Sequence, residues 1–281
     1  MEYCPKSSMP VEVFNWLLDH LSHLSVRAKM GRPPLELGQR LDAFWLVVGE
    51  GLSYRQAARV LAVSKSEIGI SIYLLTGPIA GLGLCQPDGT FIKTLADLEV
   101  VLREMAASRE PVCLDGMGIQ TQKPYHRPNQ YQLWDHHHHQ VGVRATVVSD
   151  CYDTLLWVDG GWPGNCAERA ACEVAGITMV LIESKVPVLA DRGYRVRDKS
   201  SWPMLVTPLA RWNQQLQWDE KTKTVNYLQA GLRASVERTI AHLAHARAFR
   251  KWRGRLALVR DVLRAAATVI CLNRWLSRVP A

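Results

Sequence analysis

The sequence predicts an α/β protein preceded by an all-helical module, and three observations carry that reading. Apolar, β-branched-rich runs at 112–114, 141–148, 154–158, 186–190 and 204–207 have the length and composition of buried strands. One helical stretch at 167–175 lies between the third and fourth runs, and the chain reads as helical from 228 to its end. Strands, an inserted helix and closing helices make a layered sheet flanked by helices. Ahead of residue 80 the periodicity is helical and the helix starts are well marked.

The first helix is expected over 11–28, where Val11, Phe14, Leu17, Leu18, Leu21 and Leu24 recur at helical spacing. Gly31-Arg-Pro-Pro34 breaks it. This tetrapeptide has the composition of a minor-groove arm, but the match is short and an ordinary interhelix linker is the better reading. A second helix is expected over 35–50. Ser53-Tyr-Arg-Gln56 and Ser64-Lys-Ser-Glu67 are capping-box patterns that open helices at 54–61 and 65–75. Only Ala62 and Val63 separate the two, a spacing compatible with a helix-turn-helix whose recognition helix begins at Ser64, Lys65 and Ser66. A small helical bundle packing its own core gives the same pattern. The Gly- and Pro-containing stretch 78–92 reads as a linker, followed by a helix at 94–107. The expected organisation is therefore a helical DNA-binding module over 1–80, a linker and connecting helix over 81–110, and a catalytic α/β domain over 111–281.

Bulk composition narrows the function classes. Apolar residues make up 48% and charged residues 21% of 281, as in a globular protein. Lys and Arg number 34 against 26 Asp and Glu, and this surplus of eight favours a polyanionic partner. The seven cysteines form no C-x-x-C pair, which argues against a zinc module and a disulfide framework and for a reducing, intracellular setting. No charged-then-apolar leader follows Met1, and Arg260, Asp261, Arg264 and Arg274 interrupt the longest apolar stretch, 256–276.

Three acidic residues stand in informative settings. Asp115 in Val112-Cys-Leu-Asp-Gly116 and Asp191 in Val188-Leu-Ala-Asp-Arg-Gly-Tyr194 end apolar runs, and Glu237 in Arg233-Ala-Ser-Val-Glu-Arg238 lies on a helix. An unpaired carboxylate is too costly to bury, so strand-end acids belong to a cleft rather than a core. Gathered in one cleft they would suit hard divalent cations, which take oxygen ligands. Taken singly, Asp115 and Asp191 are also compatible with turns, and Glu237 with a surface ion pair to Arg233 on the same helical face.

The order of these motifs is informative. Cys113-Leu-Asp-Gly-Met117, the strand pair over 141–160, Trp162-Pro-Gly-Asn165, Leu189-Ala-Asp-Arg-Gly-Tyr194 and, 46 residues beyond Asp191, Val236-Glu-Arg238 resemble the DDE-superfamily transposases. The likeness is to the Harbinger-related endonuclease type of bacterial insertion-sequence group five, and it covers nearly the whole chain. It implies a ribonuclease H-like catalytic domain in which Asp115, Asp191 and Glu237 bind two Mg²⁺ or Mn²⁺ ions at the scissile phosphate. It also implies double-stranded DNA as partner (terminal inverted repeats and target), a homodimer or larger assembly, and a bacterial cytoplasmic, nucleoid-associated setting.

Departures from the family pattern qualify these expectations. The turn after the third strand is Pro163-Gly-Asn-Cys-Ala-Glu168, so Glu168 keeps a carboxylate there in a supporting role. Ala244 stands where the family has a Lys, and the loop before 140 carries His136–His139, which as adjacent residues converge poorly on one ion. These departures keep a second reading open, a transposase-derived DNA-binding protein that no longer cuts. Arg233, Arg238, Arg247, Arg250, Lys251, Arg253 and Arg255, with His242 and His245, read as a phosphate-tracking face beside the metal site. Trp252 among them either stacks or packs, and Trp212 and Trp218 either cover DNA or pack.

Overall fold

Apolar stripes at helical spacing, strand-length apolar runs and a return to helices organise the chain. The computed structural model describes residues 5–24, 35–123, 127–136, 139–196, 198–209 and 220–278. In chain order, helices α1 (Val11–Leu21), α2 (Leu37–Val48), α3 (Tyr54–Leu61) and α4 (Lys65–Leu82) precede short strands β1 (Leu84–Cys85) and β2 (Phe91–Ile92) and helix α5 (Leu95–Ala107). Then come β3 (Val112–Gln120), α6 (Arg127–Gln132), β4 (Trp134–Asp135), β5 (Gln140–Asp150) and β6 (Leu155–Pro163). Helices α7 (Glu168–Val174) and α8 (Ile177–Glu183), strands β7 (Val188–Ala190) and β8 (Leu205–Val206), and helices α9 (Glu220–Ala244) and α10 (Val259–Leu276) complete it. Gly31-Arg-Pro-Pro34, Trp212, Trp218, His137 and His138 lie outside the described residues.

The chain forms two units. One gathers Met1–Thr90, Ile119–Gln122 and His242–Ala281, the other Phe91–Gly118 and Lys123–Ala241. The C-terminal segment His242–Ala281 thus falls in the helical unit. The physical reason is α10, whose Val259, Val262, Leu263, Ala266, Val269 and Leu272 are all buried, leaving it a central helix that packs on α4 and α1. Burying a Leu or Val side chain contributes roughly 1.5–3 kcal/mol, so this helix is a large part of that core.

Local chemistry sets the helix ends. Both capping boxes form: the Ser53 hydroxyl accepts from the Gln56 amide and the Ser64 hydroxyl from the Glu67 amide, with the reciprocal side-chain contacts in place. Ala62 in the left-handed conformation (φ 55°) makes the turn between α3 and α4, and the two axes differ by 103°. The first helix stops at Leu21 instead of 28, where the Ser22 hydroxyl bonds back to the Asp19 carbonyl. Conversely, α4 runs on through Gly77 and Pro78, where a linker was expected. An interior proline costs about 3 kcal/mol, and burial of Leu75 and Ile79 on the same helix offsets it.

The second unit is built on a six-stranded mixed sheet in the order β4-β5-β3-β7-β8, with β6 pairing β5 as well. β5 and β6 are antiparallel, whereas β3, β7 and β8 run parallel. Leu98 and Leu102 of α5, Cys172 of α7, and Ile177 and Leu181 of α8 bury their apolar faces with Val112, Leu114, Val148 and Val188 of the sheet. Helix α8 was missed in the sequence because Gly176 (φ 76°) lets one helical stretch turn and restart. The closing helix starts at Glu220, earlier than 228, and is interrupted after Ala244.

Candidate active site

The parallel register is the first determinant. Val112 pairs Val188, Cys113 pairs Leu189 and Leu114 pairs Ala190, so Asp115 and Asp191 each follow the last paired residue of adjacent parallel strands. Only β7 ends there. β3 continues to Gln120, so Asp115 lies within its strand rather than at the end anticipated for it. Gly116 after it makes room for Glu168: a Cβ at that position would lie 2.7 Å from Glu168 Oε1.

Backbone amides orient both aspartates. Asp115 Oδ1 accepts from its neighbour's amide, Gly116 N, at 2.8 Å, and Asp191 Oδ1 accepts from Gly193 N at 2.7 Å, capping a short 3₁₀ turn over Arg192–Tyr194. Burial pushes the Asp115 carboxyl above the ordinary carboxylate range, and the charges of Asp191 and Glu237 push it the same way against Arg233. The charges of Asp191 and Glu237 therefore reach Asp115. Glu237 itself is exposed on α9.

Glu168 joins them. Its carboxylate lies against Gly116 and also against Gly193, where a Cβ would meet Glu168 Oε2 at 3.2 Å. Burial first, then Asp191 and Asp115, raise it above its ordinary value. Arg144 holds it in place: Nη1 donates to Glu168 Oε1 at 3.0 Å, Nη2 to Asp135 Oδ1 at 2.8 Å, and Nε to the Gly164 carbonyl at 3.0 Å. Sequence reasoning overlooked Arg144 and Asp135. The available signal was a lone arginine inside the apolar run 141–148, since a charge inside a strand needs a partner. Below them Tyr194 is fully buried, and its hydroxyl finds no hydrogen-bond partner among the described residues.

Arg233 does not pair with Glu237. Its Nη2 lies 3.5 Å from Asp115 Oδ2, and its Nε is buried without a partner among the described residues. Asp191 and Arg233, with Arg192 and Lys223, line a cleft of about 660 Å³. Acidic and cationic groups thus share this opening, as a phosphodiester bound beside a divalent ion would require.

A family model of DDE superfamily endonucleases matches residues 114–272, more than half of the chain. The chain belongs to that family. No curated protein and no solved structure matches it. Membership supports a transposase- or nuclease-type activity on DNA, and the matched span runs from within β3, one residue before Asp115, into α10. Among the described residues no single helix is long and apolar enough to cross a membrane.

The other residues expected to touch DNA divide between the two units of this endonuclease. Arg238 is held by Asp153, its Nε at 2.9 and 3.0 Å from the two carboxylate oxygens, so it forms an ion pair instead of a ready phosphate contact. Arg247, Arg250, Lys251, Arg253 and Arg255 are exposed and belong to the helical unit, with Ser64, Lys65 and Ser66. They are not part of the unit that holds Glu237. Trp252 packs: it is 2% exposed, its amide donates to the Gln120 carbonyl at 2.7 Å and its indole to the Arg255 carbonyl at 3.1 Å. His136 and His139 are exposed in the connection that Asp135 and Gln140 close by pairing.

Whether the acids fit the metals of DDE endonucleases is a question of donor chemistry. Asp115, Asp191, Glu168 and Glu237 supply only carboxylate oxygens, the donors that Mg²⁺ and Mn²⁺ prefer. Burial first, and then the charges of the neighbouring acids, raise Asp115 and Glu168, and a bound divalent cation would relieve the second of these. Among the described residues no three such groups are already close enough to close round one ion. With Arg233 seated on Asp115, the donor set fits in chemistry while its final arrangement requires that side chain to shift.

Proposed function

We propose that this DDE superfamily endonuclease is a DNA transposase of the Harbinger-related, bacterial insertion-sequence type. It would bind the element's terminal inverted repeats, in part through a helix-turn-helix formed by α3 and α4, and cut and join strands at Asp115, Asp191 and Glu237. The observation that carries this reading is the parallel β3–β7 register, which sets Asp115 and Asp191 side by side just past their last paired residues. Asp115, Asp191 and Glu237 would hold two Mg²⁺ or Mn²⁺ ions, with Glu168 in support. When bound, such ions supply an activated water or 3′-hydroxyl nucleophile and stabilise the leaving oxygen. The chain's own residues do the rest. The Gly116 and Gly193 amides fix one oxygen of each aspartate, Arg144 keeps Glu168 turned into the site, and Arg192, Lys223 and Arg233 offer charge to the strand being cut. Two ends must be cut together, which calls for a dimer or larger assembly on DNA.

The test is cleavage of a duplex bearing the gene's flanking repeats, with Mg²⁺ or Mn²⁺, by wild type beside Asp191→Asn. Nicking by the wild type and loss of it by at least 1,000-fold in the variant is the expected result. A second reading, a family member that binds DNA without cutting it, is favoured by the Arg233–Asp115 ion pair. Binding without cleavage by either protein would select it.

A further inference from the structure

The C-terminal basic stretch is not a featureless cationic face. It folds onto the helical unit and, with the start of α4, lines a groove of about 850 Å³. Helix α4 gives this groove Ser66, Gly69, Ile70 and Tyr73, an i, i+3, i+4, i+7 stripe, while Ile68, Ile72, Leu75 and Ile79 face the core. Ile70 and Tyr73 are 50% and 67% exposed, an unusual outlay of apolar surface on a helix whose other face is buried. The C-terminal stretch contributes Lys251, Arg253 and Arg255, which alternate with buried Trp252 and half-buried Gly254. Trp252 anchors the loop, and a Cβ at Gly254 would come within 2.4 Å of its ring, so this backbone is built to hold the three cations outward.

The lining has a decided sign. Arg55 and Lys65 join the three C-terminal cations, and among the described residues no Asp or Glu lines the groove and none of these five cations forms an ion pair. Five unpaired cations around exposed tyrosine and isoleucine match a chain of phosphates bearing flat rings. The stripe of α4 also lies inside a concavity.

We propose that this groove binds one strand of DNA, its phosphates on Arg55, Lys65, Lys251, Arg253 and Arg255 and a base stacked on Tyr73. The proposal rests on DNA being the substrate. It gives the helical unit a role at a separated or frayed end that the helix pair alone does not supply. With roughly five phosphates engaged, the slope of log affinity against log salt should be near −3.5 for a single strand, about −0.7 per contact.

The experiment is fluorescence anisotropy of a labelled single-stranded 20-mer and its duplex, in EDTA, with the full chain. Wild type should prefer the single strand and show the slope above. Lys251→Gln with Arg253→Gln should flatten the slope to roughly −2.1. Tyr73→Ala should weaken binding about tenfold at every salt concentration and leave the slope unchanged, because stacking releases no counterions. All three positions are exposed, and circular dichroism checks that each variant remains folded. Tighter binding of the duplex, or a slope that the double variant does not change, overturns the proposal. Asp191→Asn separates this from the transposase reading: it should bind the strand as wild type does, so strand binding can persist where cleavage fails.

Discussion

Arg144 uses three nitrogens on three different partners, Gly164, Asp135 and Glu168, and that is where the site is most exposed to a single change. The Asp135 side chain is 2% exposed. Removing Arg144 breaks this ion pair to a buried carboxylate, and breaking such a pair typically costs about 3–5 kcal/mol. Arg144→Ala is expected to lower urea-denaturation stability by that order, and Arg144→Lys to recover only part of it because one ammonium cannot reach three acceptors. Glu168 behaves differently. Its carboxyl sits above its ordinary value in the folded chain, so its favourable contribution is complete at acid pH, below the unfolded value, and is lost as pH rises through the folded one. In EDTA at neutral pH, Glu168→Gln should therefore melt no lower than wild type, and on adding Mn²⁺ the wild type should gain more than the variant. A variant that melts several degrees lower under those conditions would show that the ion pair with Arg144 outweighs the repulsion.

The elements show what local chemistry specifies. Ser64 caps α4, and Ser64→Ala should destabilise the protein by about 1 kcal/mol, measured by denaturation, without altering the salt dependence of DNA binding. Both capping boxes were legible in the sequence because a hydroxyl and a side chain three residues on is a contact within one turn. The capping box at Thr94 that opens α5 is a contact of the same kind, where the sequence reading gave only the helix. Legibility fails where a distant partner decides. Pro78 should end a helix by local rules, yet α4 passes through it because Ile79 is buried in the helical core. Trp252 reads as part of a helix, yet it leaves the helical path to pair with Gln120 and Thr121, far away in sequence. Asp115 reads as a strand end because Gly116 follows it, whereas glycine is there to make room for Glu168.

For the whole molecule, the consequence is that a module cut at residue 90 lacks its central helix. Without α10, helices α4 and α1 lose a partner on which they pack. A fragment of residues 1–90 is expected to be largely unfolded by circular dichroism and amide exchange, whereas the intact chain is protected there. A cooperatively folded fragment would sink this reading of α10. The sequence by itself determined the α/β class, the placement of most helices and strands, the three acids in their order and the basic surplus. All of these follow from periodicity, capping and charge, which act between neighbours in the chain. Tertiary structure alone decided that β3 and β7 are in a register that sets Asp115 beside Asp191, that Arg144 and Asp135 stand behind Glu168, and that the C-terminal cations join the first helices. Each depends on which apolar faces bury one another across long stretches of chain, and no local pattern encodes that choice.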